Sequence, residues 1–521
     1  MRLFAVLIMM ASVARAEQKL LAAAEWNALR NEISGDRAWN WTNRIAAFDR
    51  NIGSDGYVEA MRYVERELKR IGITETRVVD LPYSQPSWTG LGGELWITSP
   101  VERKIGSWAD AGTAIAINSR NADVTAELVD CGAGDRESDY AGKDVAGRIV
   151  LAGGRLDAVY RLAVFRFGAA GVITHAQRWP GHMFEFPDHI GWQTIPWQGE
   201  NGREPTWGYS VSLRTAEELR DLLRAGRVTM RATVESKLVT PGRMQILIGR
   251  LPGAAVRDEA VVFTAHLDHM RGGANDDATG CASLLEIARA LVTLSKQGRI
   301  RRPQRDVEFW FAPEVFGEYA YFAKFPEERR KILVNLNQEM VGEDQTKLGS
   351  SALFERAPWS LPTFLNDVLR HFVEHVFDTN VGTINQHERF SDPIFAAIGS
   401  RDHFFSFLVP FYTSSDHEVF AFGPIGIPAV HATCFPDYNL HTNRDTIYNV
   451  DATQLRRIAL IMGATGYFVS AAGDGDVPPL VNEVVAGSHA VLAKMVGIAG
   501  RRAAEAEAGD VLATTVRYLA A

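Results

Sequence analysis

Hydrophobic positions recur along the chain at two spacings, one typical of helices and one typical of buried strands. A helix is predicted over residues 57–71, where Gly72 ends an apolar face formed by Val58, Met61, Val64, Leu68 and Ile71. From about residue 243 onward, short apolar segments alternate with longer helical ones. Strands are predicted at residues 245–250, 260–265, 306–312, 334–338 and 427–432, and helices at 279–296 and 451–471. The alternation predicts an α/β fold with a mostly parallel, mixed sheet flanked by helices.

Residues from about 95 to 240 have a different pattern, with short β-rich segments separated by glycines. A long loop within this region carries six large aromatic residues, namely Trp179, Phe184, Phe186, Trp192, Trp197 and Trp207. A loop of this length is either an irregular segment packed on its own side chains or part of a functional site. The sequence leaves both interpretations open, aromatic packing or a wall of a substrate cleft.

The first sixteen residues are typical of an export signal. Arg2 precedes an apolar segment at residues 3–13, and Ala14-Arg15-Ala16 matches a small-residue cleavage site, so we expect cleavage before Glu17 and a periplasmic or secreted protein. The apolar segment is shorter than the roughly 20 residues that a membrane-spanning helix needs. No later segment is expected to be long and apolar enough to span a membrane.

The amino-acid composition argues against a nucleic-acid-binding protein and against a fold held together by many disulfides. The chain holds 55 Lys and Arg residues against 63 Asp and Glu residues, a net charge of −8, which disfavours nucleic-acid binding because that needs a basic surface. The three cysteines, Cys131, Cys281 and Cys434, allow at most one disulfide, and the simplest interpretation is three small buried apolar residues.

Ionisable side chains follow the ends of several predicted strands. His266 and Asp268 come directly after the strand at 260–265, and Asp276 and Asp277 follow in a glycine-containing turn. Taken alone, these two aspartates could be a helix N-cap. Together with His266 they could bind Zn²⁺, and Asp268 is placed to accept the second ring N–H of His266.

Three further segments repeat this arrangement. Glu314 follows the strand at 306–312, Glu339 follows the strand at 334–338, and a loop before the last predicted helix carries His441 and Asp445. Acids directly after apolar strands are costly unless they are paired or bind metal. The set suits metal-assisted hydrolysis, in which metal activates a water and a free carboxylate takes its proton; we predict Glu314 as that base.

These motifs, in this order, resemble the co-catalytic zinc exopeptidases of metallopeptidase family 28. The resemblance spans residues 243–472 and the helical region around 50–71, and it includes Ser415-Asp416-His417. It implies a zinc aminopeptidase-like (phosphorylase/hydrolase-like) fold, one or two Zn²⁺ ions and a peptide substrate. It also implies a role for seven residues: zinc ligands His266 and Glu339 at one site, zinc ligand His441 at the other, bridging ligand Asp276, general base Glu314, and supporting residues Asp268 and Asp445.

Two positions depart from the family pattern. Much of the family has a second zinc-binding glutamate directly after the base, but this chain has Val315, which cannot bind metal. Glu318, one helical turn further on, could substitute for it; otherwise the second metal is weak or absent. Glu339 stands where the family commonly has aspartate.

Other candidate residues carry weaker signals. His417 and Tyr438 could contact the oxyanion or the substrate, or could serve packing and loop hydrogen bonding. His269 and His403 are interpreted as structural or surface residues.

Residues 140–151 and 168–173 are similar to a protease-associated domain. We therefore expect a signal peptide at 1–16, peptidase-domain segments at 17–95 and 241–475, a β-rich protease-associated insert at 96–240, and a helical tail at 476–521. The tail could pack on the catalytic domain or form a homodimer.

The sequence thus predicts an exported zinc exopeptidase, most simply an aminopeptidase. A carboxypeptidase or dipeptidase is the first alternative, with Arg389 or Arg401 as a pocket for the substrate carboxylate. A catalytically silent binding protein is the second, because Val315 replaces an expected ligand. Neither a nucleic acid nor a membrane is an expected partner.

Overall fold

A computed structural model describes residues 20–385 and 393–505 of the chain. The predicted signal peptide at 1–16 and the candidate Arg389 lie outside these residues. Both described segments contribute helices and strands to the fold that follows.

Twelve helices are numbered here in chain order. They are α1 (Ala23–Glu32), α2 (Gly35–Ala46), α3 (Asp55–Ile71), α4 (Leu156–Tyr160), α5 (Leu213–Ala225), α6 (Gly280–Lys296), α7 (Phe316–Lys324), α8 (Gln345–Leu348), α9 (Leu365–Asn385), α10 (His417–Ala421), α11 (Ala452–Ala471) and α12 (Val477–Glu505).

Sheet A is the eight-stranded sheet with the order β1-β10-β12-β11-β13-β16-β14-β15. Its four inner strands, from β12 through β11 and β13 to β16, run parallel, and the strands β1, β10 and β14 pair antiparallel with their inner neighbours. The strands are β1 (Glu75–Leu81), β10 (Met244–Leu251), β11 (Val256–His266), β12 (Arg305–Ala312), β13 (Ile332–Gln338), β14 (Ser351–Glu355), β15 (Ser406–Val409) and β16 (Ala429–Phe435).

Sheet B follows the order β4-β3-β9-β5-β6-β7-β8, and β2 also pairs with β9. All of its strands fall in the chain between β1 and β10. They are β2 (Ser87–Gly92), β3 (Glu94–Ser99), β4 (Arg103–Ser107), β5 (Ala122–Asp130), β6 (Ile149–Ala152), β7 (Gly171–Thr174), β8 (Gly208–Ser210) and β9 (Thr229–Val239). The boundaries proposed for a protease-associated insert stay a prediction.

Local sequence explains where the helices begin and end. Ser54 accepts a hydrogen bond from the backbone N–H of Tyr57 and so caps the start of α3, and Gly72 ends that helix in the left-handed conformation that glycine favours. Helix α11 is apolar on almost all sides because it is buried almost completely among helices α2, α6 and α9 and against sheet A.

The α/β fold class is confirmed, and each predicted strand of sheet A lies in or overlaps an observed one. The pattern did not predict β14, β15 or α9. The three cysteines are buried free thiols, as the simplest interpretation expected.

Two described helical segments are long and apolar enough to cross a membrane, which corrects the expectation that none would be. Ala274–Lys296 lies largely buried in the core of the protein, as a core helix does. Asp474–Arg502 is largely exposed, and Val481, Val485 and Leu492 are among its exposed apolar side chains.

Helix α11 packs against β11 through a glycine, and this contact gives a test of the core. A Cβ atom at Gly466 would overlap the ring of Phe263, which itself stacks on Phe309. We expect Gly466→Ala to lower the free energy of unfolding by about 1–3 kcal/mol because the core must shift. Gly463→Ala, whose Cβ would lie 3.3 Å or more from its neighbours, is the matched control. Equal denaturation midpoints for the two variants would contradict this account.

Candidate metal centre

The centre lies at the carboxyl ends of the parallel strands of sheet A, where ligands bind in open α/β sheets. His266 ends β11, Glu314 follows β12 by two residues, and Glu339 directly follows β13. Because these three strands are adjacent in the sheet, their ends bring the side chains to one edge. The turn after β11 and the loop after β16 complete the centre with Asp276 and His441.

Asp276 is the buried carboxylate on which three imidazoles converge. Its Oδ1 lies 3.0 Å from His266 Nε2, and its Oδ2 lies 3.0 Å from His441 Nε2 and 3.4 Å from His269 Nε2. Glu339 Oε1 lies 3.9 Å from the same His266 Nε2. The structure therefore brings together four predicted ligands and adds His269, which sequence analysis had interpreted as structural.

In His266 and His269, the ring nitrogen that points away from Asp276 is hydrogen-bonded to a backbone carbonyl. These two hydrogen bonds determine the tautomer of each ring. His266 Nδ1 lies 3.0 Å from the carbonyl oxygen of Asp268, and His269 Nδ1 lies 3.0 Å from that of Met270. A carbonyl only accepts, so each Nδ1 carries the hydrogen. Each Nε2 then directs a lone pair at a carboxylate oxygen, and neither has a hydrogen-bond partner among the described residues.

Lone pairs facing carboxylate oxygens in a buried site are unfavourable unless a cation or a proton lies between them. Two donor groups have this arrangement, His266 with Asp276 and Glu339, and His269 with Asp276 and His441, and the atoms of each lie within 4.8 Å of one another. Ligands of a tetrahedral zinc ion, with bonds of about 2.0–2.2 Å, lie about 3.3–3.6 Å apart. The observed separations of 3.0–3.9 Å are close to this range, so both groups could hold such an ion.

Two aspartates support the centre through the backbone. Asp445 accepts hydrogen bonds from the N–H groups of Asn275 and Asp276, at 2.7 and 3.0 Å. These hydrogen bonds hold the turn that carries Asp276, and the expected support of His441 by Asp445 stays a prediction. Asp268 Oδ1 accepts from the N–H of Glu314 at 2.8 Å and lies 3.5 Å from His266 Nδ1, so it links the histidine to the predicted base.

Glu314 has the electrostatic environment of a proton acceptor. Burial and the carboxylates of Asp276 and Asp416 raise the pKa of Glu314 to about 8, although His266 opposes the rise. A general base acts best when its pKa lies near the working pH. A cation bound beside Glu314 would lower this pKa again, because an opposite charge favours the ionised form.

Val315, which stands where the family has a zinc-binding glutamate, and Glu318, its predicted substitute, have different surroundings. Val315 is half-buried and its N–H donates to Asp416 Oδ1 at 2.7 Å. Glu318 is fully buried, burial raises its pKa well above the usual range, and neither carboxylate oxygen has a hydrogen-bond partner among the described residues. It belongs to neither donor group around Asp276, so the structure offers His269 there rather than Glu318.

Three residues of the centre adopt the left-handed conformation that non-glycine residues rarely have, namely Val315, Met340 and His441, with φ of 51°, 56° and 57°. Each is tied by a backbone hydrogen bond. Val315 donates to Asp416, Met340 donates to Asp277 Oδ1 at 3.1 Å, and the carbonyl of His441 accepts from Trp192 at 2.7 Å.

A third buried donor group lies behind Glu339. His431 Nε2 lies 3.5 Å from Glu339 Oε2, and its Nδ1 lies 3.4 Å from Glu355 Oε1. His417, a predicted oxyanion contact, is fully buried here, stacks on His431 and lies 2.8 Å from the carbonyl of Tyr412. Burial opposes ionisation of Glu355, but hydrogen bonds from the two histidines outweigh it and lower the pKa of Glu355 to about 2.

The aromatic loop of sheet B contributes both to a core and to the centre. Trp207 is buried in the core of sheet B. The ring of Trp192 packs edge-on against His269 and His441, with centroids 5.0 and 4.7 Å apart. Tyr438, the other predicted substrate contact, is half-buried and packs against Trp179 and Phe186 of this loop.

Comparison with known proteins agrees with this architecture. Residues 247–465 match the family model described as Peptidase family M28. The chain is 27% identical over 182 residues to "Leucine aminopeptidase 1" of Aspergillus oryzae, an alignment covering 32% of this chain and 45% of that protein. A protein of the same name from Penicillium rubens is 25% identical over 162 residues, covering 27% and 41%. The chain thus spans less than half the length of these curated relatives.

Two solved structures share the fold. A zinc aminopeptidase from Bacillus subtilis matches with 17% identity and a TM-score of 0.57, over 85% of this chain and 96% of that chain. A protein described as a Peptidase M28 precursor from Shewanella amazonensis matches with 15% identity and a TM-score of 0.55, over 87% and 97%. At these identities the likeness shows the fold alone.

The position of Asp268 between His266 and Glu314 can be tested directly. We expect Asp268→Asn to weaken binding of zinc by about 10- to 100-fold, because the charge that orients His266 is lost while the shape is kept. Competition with a chelating dye measures the affinity. Asp188→Asn removes an exposed carboxylate that pairs with Arg214 and serves as the control. Unchanged affinity in Asp268→Asn would refute a supporting role of the Asp268 carboxylate, since the substitution retains the carbonyl oxygen that bonds His266 Nδ1.

Proposed function

We propose that this chain, which carries a domain of peptidase family M28 at residues 247–465, is an exported zinc-dependent exopeptidase, and specifically an aminopeptidase. The observation that carries the proposal is the convergence of His266, His441 and Glu339 on the buried Asp276 beside Glu314. An aliphatic or hydrogen-bonded core has no need for this set of donors, whereas amide hydrolysis by a metal-activated water uses them all.

In this proposal His266 and Glu339 would hold one zinc ion, His441 would serve a second, and Asp276 would be shared. When bound, zinc acts as a Lewis acid that polarises the scissile carbonyl and makes the attacking water more acidic. The carbonyl oxygen of Asp268 holds the hydrogen of His266 on Nδ1, so that Nε2 keeps its lone pair for the ion. Asp445 keeps the bridging carboxylate in place through the backbone of its turn.

Glu314 moves the protons of the reaction. Its carboxylate takes a proton from the attacking water and later delivers that proton to the leaving amine. Asp268 accepts a hydrogen bond from the N–H of Glu314 and so fixes the backbone from which the carboxylate extends. The buried surroundings that raise the pKa of Glu314 make its carboxylate a stronger acceptor for the proton of the attacking water.

An aminopeptidase is favoured over a carboxypeptidase by two observations. The curated relatives that match the chain are named leucine aminopeptidases. Nη1 of Arg401, a candidate for binding a substrate carboxylate, donates to the carbonyls of Ala396, Gly399 and Ser400, which ties this guanidinium to its own loop. The remaining candidate, Arg389, lies outside the described residues.

The proposal extends to the whole chain. Residues 17–95 and 241–475 form the peptidase domain, residues 96–240 form an inserted domain of the protease-associated type, and the protein acts in the periplasm or outside the cell. Support for the insertion comes from the topology, since β1 and β10 pair in sheet A while all strands of sheet B lie between them. Sheet B itself begins before residue 96, with β2 at Ser87. The exposed apolar residues of α12 could serve a homodimer.

Glu314→Gln tests the proposed base. The amide keeps the size of the side chain but cannot accept the proton, so we expect kcat on a leucine anilide to fall by about 10²- to 10⁴-fold. The zinc content, measured by mass spectrometry of the purified protein, is expected to stay unchanged. Activity within twofold of the wild type would contradict the assignment of Glu314 as the general base.

Substrates with and without a free amine separate the aminopeptidase from its alternatives. We expect hydrolysis of a leucine anilide and none of its N-acetylated form, because an aminopeptidase requires the free terminus. Removal of zinc by a chelator is expected to abolish hydrolysis and to lower the melting temperature, since the ion stabilises only the folded state. Cleavage of N-blocked peptides alone would indicate the carboxypeptidase. Purified protein with neither metal nor turnover would indicate the binding protein.

A further inference from the structure

His269 belongs to a segment that is fixed at both ends. The backbone of His269 pairs with that of Arg50, with N–H to carbonyl distances of 2.7 and 3.1 Å. The buried guanidinium of Arg50 donates to the carbonyls of Leu267 at 2.8 Å and of Gly273 at 2.9 Å, on either side of His269. The imidazole is therefore held in place by a residue far away in the chain.

The surroundings of the ring leave one orientation for its free nitrogen. A Cβ atom at Gly273 would overlap the ring of His269, so the ring lies directly on the backbone of this turn. Trp192 packs edge-on against the same ring, and His269 is only 2% exposed. With Nδ1 bonded to the carbonyl of Met270, Nε2 has no hydrogen-bond partner among the described residues and faces Asp276 Oδ2 at 3.4 Å.

The two oxygens of Asp276 serve different histidines. His266 lies against Oδ1, whereas His269 and His441 both lie against Oδ2. A carboxylate that presents each oxygen to a separate set of nitrogen donors has the arrangement of a ligand shared between two cations. Val315, directly after the predicted base, supplies no donor atom, whereas Nε2 of His269 places a third donor atom on the Oδ2 side.

We propose that His269 is a metal ligand and that it completes, with His441 and Asp276 Oδ2, a second cation site beside the site of His266, Glu339 and Asp276 Oδ1. The inference rests on the proposed zinc centre and deepens it by fixing the count at two ions. The new site has two neutral imidazoles and a shared carboxylate, whereas the first site has an additional carboxylate of its own. Because ligand charge tunes cation affinity, we infer that the two ions bind unequally, the second at least about tenfold more weakly.

Metal titration of the chelated protein tests the inference without reference to activity. Zinc is added back, and the bound ions are counted by isothermal titration calorimetry and by mass spectrometry after desalting into buffer of fixed free zinc. The wild type is expected to bind two ions in two unequal steps, and His269→Ala is expected to bind one with the affinity of the tighter step. His489→Ala, which removes an exposed histidine of α12, is the matched control and is expected to keep both steps.

Gly273→Ala is a second test that removes no donor atom. Its added methyl group would overlap both the ring of His269 and the carbonyl oxygen of Asp276, so we expect the weaker step to be lost or to weaken by more than tenfold. An unchanged weaker step in this variant would count against the inference. Thermal melting of the zinc-loaded variants verifies that each is folded, and Glu314→Gln is expected to keep both ions. One ion in the wild type, or two in His269→Ala with unchanged affinities, overturns the inference. A protein that binds two ions as described but cleaves no peptide would refute the proposed function and leave this inference standing.

Discussion

The ionised carboxylate of Asp276 is almost completely buried, and this buried charge constrains the groups placed around it. Such a charge costs several kcal/mol to bury unless positive charge or strong donors surround it. Three imidazoles face this carboxylate, and a cation or a proton held between them and the carboxylate supplies the positive charge. Asp445 anchors the backbone of the same turn. The strands and loops that supply these groups must therefore meet at one point, and the parallel order of β12, β11 and β13 makes that meeting possible.

Strain is concentrated at the same point. Left-handed backbone costs about 1–3 kcal/mol for a residue that is not glycine, and it persists only when the surroundings determine it. Val315 and Met340 each follow an acid of the centre, and His441 is itself a donor. In each case a hydrogen bond to the backbone offsets the cost. The acids are thereby turned away from the direction of their strands and toward the centre.

The sequence predicted the parts of the centre that depend on local pattern. His266, Glu314 and Glu339 can be recognised in the sequence because each is an ionisable residue at or just after the end of an apolar strand. His269 is not visible in this way. It lies three residues after His266 in an ordinary turn, and its position depends on the pairing with Arg50 and the bare backbone of Gly273, which are tertiary contacts. The repeated histidine in His266-Leu267-Asp268-His269 was the one available signal.

The difference between local sequence pattern and tertiary contacts also explains which strands and helices could be predicted. Strands β11, β12 and β13 are continuous apolar segments buried on both faces and were predicted within a few residues. Strands β14 and β15 are short, with five and four residues, and β15 is the outermost strand of sheet A, so they carry too few buried positions to shape a recognisable pattern. The exposed apolar residues of α12 also resist prediction, because periodicity assigns an apolar side chain to a core by default.

The backbone link between the two sheets has a consequence for how the protein can be divided. Ile190 and Trp192, which belong to the chain between β7 and β8, donate their N–H groups to Asn443 Oδ1 and to the carbonyl of His441. A shortened polypeptide in which β1 was joined straight to β10 would keep every proposed zinc ligand in its sequence. It would nevertheless lose the external brace of His441 and the aromatic cover over two imidazoles. Sheet A therefore depends on sheet B to hold the His441 loop. A recombined protein that lacked sheet B, or carried another domain in its place, would need new contacts to that loop.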